Sequence, residues 1–188
     1  YNRNLYVLPL PSGAAEIPET NEEEFGLLYD VLRRESDIFI IDTSKNLDSP
    51  LTKTALKLAT RVILPVTQDP NRAKTIRVKL KEMSNQGIPL NKFEPVLNMS
   101  VRTSIPGKEE IEDILDMKIQ GIEIPAVLES AYKSISEGIP AYDNKSTPEL
   151  FAYSMDVLAA YLNGDDKIHR PKSHKLFKLF KLRKEGSI

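Results

Sequence analysis

Short, nearly continuous apolar runs alternate along this chain with longer stretches in which apolar and charged positions recur at helical spacing. The apolar runs are Leu5–Leu10 (LYVLPL), Asp37–Asp42 (DIFIID), Arg61–Val66 (RVILPV), Phe93–Met99 (FEPVLNM) and Ile119–Ile124 (IQGIEI). Strands buried on both faces have this character, so the runs predict a parallel sheet. Between them, Glu22–Glu35, Leu51–Ala59, Asn71–Gln86, Lys108–Met117 and Ala126–Glu137 have the length of helices, and Gly87 and Gly138 follow two of them as terminators. A last helix is expected over Thr147–Leu162, with Ser146 or Thr147 as its N-cap and Pro148 at its first position. The alternation predicts an α/β fold: a doubly wound, mostly parallel sheet flanked by helices.

The pattern changes at the end of the chain. Residues 164–171 (GDDKIHRP) are polar and end in a helix breaker, which predicts a hinge. Beyond it, His174–Lys184 reads HKLFKLFKLRK. On a helical wheel Leu176, Phe177, Leu179 and Phe180 gather on one arc, with Lys175, Lys178, Lys181 and Lys184 largely around it; Leu182 fits less well. The expected organisation is therefore one domain over 1–163, a hinge over 164–171 and a basic amphipathic tail over 172–188.

Charge sharpens that division. The formal net charge of −1 hides 8 Lys/Arg against one acid in residues 167–188, while the other 166 residues carry 18 bases and 26 acids. An acidic body and a basic end imply two surfaces with separate tasks. A helix of the tail's kind lies in a membrane interface, its apolar face in the acyl boundary and its lysines on anionic headgroups, each adding on the order of 1 kcal/mol. Alternatives for the tail are a solvated basic end, a helix docked on a partner protein, or contact with nucleic-acid phosphates; the dense apolar arc argues against duplex DNA. With no cysteine there is neither a disulfide framework nor a thiolate metal site, and both histidines, His169 and His174, lie near the end. Ionic chemistry must rest on carboxylates.

Among carboxylates, Asp42 stands out because it closes the apolar run DIFIID. Ligands of parallel α/β sheets bind outside the carboxyl ends of strands, which is where a metal or catalytic water would sit; the plainer role is capping of the loop that follows. Taken in order, NLYVLPL, FIIDTS, RVILPVTQDP, PVLNMS and IEIPAVLESAYKSISEGIPAYD resemble the MinD/ParA family of deviant-Walker ATPases, including its pilus-assembly and flagellar-placement members, over roughly residues 2–162. The resemblance implies catalytic roles for Asp42, which would help hold Mg²⁺ and its water, and for Thr43, which would sense the terminal phosphate. It implies that Asn98 contacts the adenine and that Ile124 and Pro125 line the base pocket. The tail is similar in placement and type to the membrane-targeting helix of MinD, which gives Lys175, Leu176, Phe177, Lys178, Leu179, Phe180 and Lys181 a membrane-binding role.

Two departures bear on activity. The family's Gly-rich, Lys-containing phosphate loop is absent from all 188 residues, so tight ATP binding by this chain is not expected. In the family that loop lies upstream of the segment matched here, so the chain is expected to be the later part of a longer protein that uses ATP and Mg²⁺. The loop after Asp42 reads Thr43-Ser44-Lys45-Asn46-Leu47-Asp48 in place of the family's Pro and Gly. The resemblance thus implies a homodimeric, membrane-attached spatial regulator or assembly factor, cytoplasmic and peripheral on the inner face of the cell membrane, with anionic lipid and proteins of a positioning system as partners. The alternatives are a noncatalytic scaffold that recruits protein partners and, lower in rank, a DNA-segregation ATPase.

Overall fold

The computed structural model describes residues 6–8, 21–43 and 47–164. The chain divides into two compact units that meet in sequence between Thr60 and Arg61. The expected tail and most of the expected hinge lie outside the described residues.

The first unit is built on two helices, α1 (Glu22–Glu35) and α2 (Pro50–Leu58). Asn21 starts α1 by a reciprocal cap: its Oδ1 accepts from the Glu24 N–H at 2.8 Å, and its own N–H donates to the Glu24 carboxylate at 3.3 Å. Glu22–Glu24 in the first turn and Arg33 and Arg34 in the last oppose the helix dipole. Tyr29 is the buried residue of α1; its hydroxyl donates to the Leu58 carbonyl at 2.9 Å and its ring lies 5.8 Å from that of Phe39.

Here the structure corrects the sequence reading. Residues 37–42 are not a strand, and neither are the described residues 6–8 of the first run. The DIFIID segment still alternates, with Phe39 and Ile41 half-buried and Ile38 and Ile40 exposed. A parallel strand needs a neighbour to take its N–H and C=O groups, and no strand in the first unit's described residues supplies one. Apolar content alone did not make a ladder.

The second unit holds a sheet of three parallel strands in the order β1 (Val62–Val66), β2 (Phe93–Ser100), β3 (Glu123–Pro125). Helix α3 (Pro70–Asn85) connects β1 to β2 and α4 (Lys108–Leu115) connects β2 to β3. Two right-handed crossovers progressing the same way along a sheet put their helices side by side, and α3 and α4 are in contact. The core is formed by Val66, Val96 and Leu97 of the strands with Leu80, Met83, Ile88, Ile111 and Leu115. Pro95 sits in the middle strand without breaking it. Its carbonyl accepts from Gln120 on the β3 side, where β3 itself has not begun, so its missing N–H leaves no ladder bond unmade.

Helices α5 (Leu128–Glu137) and α6 (Glu149–Asn163) complete the unit. Ser154 Oγ of α6 donates to the Glu123 carbonyl at 2.9 Å, and the α6 carbonyls of Tyr161 and Leu162 accept from Arg61, just before β1. Glu123 is level with Leu97, and Leu97 with Val66, so α6 runs against the strands, from their carboxyl ends toward their amino ends. Lengths agree: eight helical residues rise about 12 Å and the strand from 62 to 66 about 13 Å. The N-cap of α6 is Pro148, not Ser146 or Thr147. Those two residues instead belong to a turn held by Asn144, whose Oδ1 accepts from both the N–H and the hydroxyl of Ser146.

Candidate functional site: a cleft at the strand ends

The carboxyl end of β2 is irregular. Met99 adopts a left-handed conformation (φ 54°), and the pairing of β2 with β3 shifts between Leu97 and Ser100. This bulge turns the chain away from the sheet into the loop that leads to α4. Gln68, two residues past the end of β1, holds that loop from both sides: its Oε1 accepts from the Val101 N–H at 2.7 Å and its Nε2 donates to the Pro106 carbonyl at 3.2 Å. Ser100 Oγ reaches the Glu123 carboxylate at 3.4 Å. At the far side of the loop, the Gly107 N–H donates to the Glu110 carboxylate and starts α4.

These restraints frame a cleft of about 860 Å³. Leu97 and Ile122 contribute apolar surface from the sheet side, and Leu150, Tyr153 and Val157 of α6 do so from the helix. Gln68, Ser100, Arg102, Lys108 and Glu123 supply polar groups of both signs. Apolar walls with a few convergent polar groups, outside the carboxyl ends of parallel strands, form a site suited to a partly polar small molecule. Gln68 and Arg102 stand two residues past the ends of β1 and β2, so the strand-end rule applied to every strand would have found them; the sequence reading applied it to Asp42, and named Asn98 from the family resemblance.

The anticipated site residues fall in separate places. Asp42, the last residue of DIFIID, and Thr43 after it are exposed in the first unit. Asn98, Ile124 and Pro125 belong to the second unit and are half-buried. Asn98 Oδ1 accepts from the Met99 N–H at 3.0 Å, and Asn98 does not line the cleft. Ile124 and Pro125 continue β3 just past Glu123, which does. The residues expected to bind membrane, Lys175 to Lys181, lie outside the described residues.

A buried carboxylate braces the floor of the unit. Glu112 of α4 accepts from Lys118 Nζ at 2.7 Å and from the Ile119 N–H at 3.0 Å, with Lys108 Nζ at 4.0 Å. The Lys118 ammonium holds the Glu112 carboxyl below its usual value, against the opposing effect of burial and with help from the Ile119 N–H. This ties the end of α4 to the segment that delivers Ile122 to the cleft.

The fit to Mg²⁺ and a nucleotide is partial. Among the described residues no group of three or more His, Cys, Asp or Glu is placed to hold a metal. Asp42 offers one carboxylate, which is a fair share for Mg²⁺ when phosphate and water complete its shell. No Gly-rich, Lys-containing loop exists to present backbone N–H groups to those phosphates. The cleft is large enough for a small molecule, and the sequence carries no Gly-rich, Lys-containing phosphate loop.

Comparison with known proteins adds the fold relationship. No family model matches the chain, and no curated protein matches it. Among solved structures, a ParA family ATPase from Chlorobium tepidum TLS superposes with a TM-score of 0.72 at 18% identity. The likeness covers 81% of this chain and 62% of that one. The chain therefore has the α/β fold of a ParA family ATPase and spans under two thirds of that protein's length. Among the described residues no helix is long and apolar enough to cross a membrane.

Proposed function

We propose that this chain is part of a MinD/ParA-like nucleotide-switch protein that attaches to an anionic membrane surface through residues 172–184 and positions or helps assemble a larger machine. The observation that carries the reading is the cleft at the carboxyl ends of β2 and β3 in a fold shared with a ParA family ATPase. In this reading the base of an adenine nucleotide occupies the cleft region near Asn98 and Ile124–Pro125, and Asp42 and Thr43 keep the Mg²⁺ and terminal-phosphate roles that the resemblance implies. Attachment and dimerisation reinforce each other, because one weak amphipathic tail gains avidity when a second is linked to it. The Mg²⁺–ATP chemistry belongs to the complete protein.

The test is an NMR titration of the chain with adenosine and, separately, with ATP. Shift changes at residues 98–102 and 121–125 are expected with both ligands at similar, millimolar strength, since no phosphate cradle favours ATP. No change with either ligand removes the nucleotide reading of this site. A second reading, a noncatalytic scaffold, is favoured by two observations: the loop after Asp42 departs from the family's switch, and Asp42 itself closes a segment with no ladder partner among the described residues. That reading predicts full membrane and partner binding with no response to nucleotide.

A further inference from the structure

The polar groups of the cleft are not equally free to meet a ligand. Gln68 is committed at both ends of its amide, to the Val101 N–H and the Pro106 carbonyl, and Lys108 Nζ faces Glu112 at 4.0 Å. Arg102 and Glu109 reach the cleft from the α4 side, one in the loop before that helix and one in its first turn. On the sheet side the polar pair is Ser100 and Glu123, with the Ser100 hydroxyl donating to Glu123 Oε2 at 3.4 Å. A carboxylate has about four acceptor positions and, when ionised, no donor. One long bond from Ser100 leaves most of that capacity open.

The backbone around Glu123 is fixed. The Ile122 carbonyl just before it accepts from the Leu97 N–H at 3.1 Å, and its own carbonyl accepts from Ser154 Oγ of α6 at 2.9 Å. Glu123 is level with Leu97 of the cleft and directly precedes Ile124–Pro125. We propose that Glu123 is a specificity-determining residue, which selects a purine carrying an exocyclic amino group by accepting a hydrogen bond from it. This deepens the nucleotide reading of the cleft and rests on it. A base without that amino group turns only acceptors toward the carboxylate, which then loses water without gaining a donor. Sites that pair a ligand's N–H in this way discriminate against analogues lacking it. Glutamine at the same position has nearly the same shape but both accepts and donates, so it would serve either base.

The experiment is an NMR titration of the full chain and of Glu123→Gln with adenosine and with purine riboside, which lacks the 6-amino group, read at residues 98–102 and 121–125. The unaltered chain is expected to bind adenosine about fivefold or more tightly than purine riboside. In E123Q the two affinities should come within about twofold of each other, with the spectrum away from the cleft unchanged because Glu123 is exposed. Equal binding of the two nucleosides by the unaltered chain, or tighter binding of purine riboside, overturns the proposal and leaves the nucleotide reading in place. A preference for adenosine that persists undiminished in E123Q overturns it as well, since the selectivity then comes from another group. Absence of shifts with either nucleoside overturns the proposal together with the nucleotide reading.

Discussion

Arg61 is the side chain on which the position of α6 depends most. It makes a two-pronged ion pair with Glu94, through Nε at 2.8 Å and Nη2 at 2.7 Å, and its Nη1 donates to the carbonyls of Tyr161 and Leu162 at 3.1 and 3.0 Å. Its guanidinium also lies 4.5 Å from the centre of the Tyr161 ring. Those carbonyls are among the last of a helix, where intrahelical partners run out; the Gly164 N–H reaches Tyr161 as well, and Arg61 both adds to that cap and fixes α6 to the start of β1. Arg61→Ala removes these bonds together and leaves Glu94, whose side chain is only 14% exposed, without its partner. Charged hydrogen bonds contribute about 1.5–3 kcal/mol each in mutational series and do not add, so the expected loss is about 2–4 kcal/mol. Arg61→Lys keeps the charge but loses the fork, and should cost about half as much. Urea denaturation gives the loss, and hydrogen exchange at residues 158–163 locates it, since the last turn of α6 should open first. A double-variant cycle with Glu94→Ala should show a coupling above about 1 kcal/mol. A loss under about 0.5 kcal/mol with no coupling would mean an ordinary surface ion pair and refute the reasoning.

Three further expectations follow from the same geometry. Glu112 is held below the ordinary glutamate value of 4.5, so its carboxylate stabilises the folded chain fully above that pH. That contribution is lost as pH falls through the lower folded value; denaturant midpoints measured from pH 6 to 3 should show a steeper acid decline than those of Glu112→Gln. Met99→Gly should raise stability by about 1 kcal/mol, because Met99 holds a left-handed conformation (φ 54°) that glycine adopts freely, whereas Met99→Ile should lower it. A decrease for the glycine variant in thermal melts would argue that the Met99 side chain contributes more than the strain costs. Gln68→Ala should speed amide exchange at Val101, whose N–H it accepts, with little effect on β1; equal exchange in both proteins would mean that the loop holds itself.

Much of the second unit was legible because its signals are local. Strands β1 and β2 follow from RVILPV and FEPVLNM, and α4 begins at Lys108 as its spacing indicates. In the first unit α1 matches Glu22–Glu35 end to end, since its capping residues and charge gradient are written in the sequence. What was not legible depends on neighbours. DIFIID has the composition of a strand, but a strand is defined by its partners. β3 is confined to Glu123–Pro125, while Ile119 and Ile122 are buried in the approach to it, where the Ile122 carbonyl accepts from the Leu97 N–H. Amphipathicity marked α5 as a helix without saying which face turns inward, and there the serines did. Gln68 and Arg102 stand at strand ends that the sequence already marked, but the cleft's other wall, Leu150, Tyr153 and Val157 of α6, reads as ordinary helix core until α6 is set against the strands.

The central claim is a body of ParA-like fold carried to an anionic membrane by its basic end. Cosedimentation of the full chain, and of the chain ending at Gly164, with phosphatidylglycerol and with phosphatidylcholine vesicles tests it most directly. Binding by the full chain alone, to the anionic vesicles alone and weakening as salt is raised, is the predicted result. Equal pelleting of the two chains, or binding that ignores headgroup charge, would contradict the account.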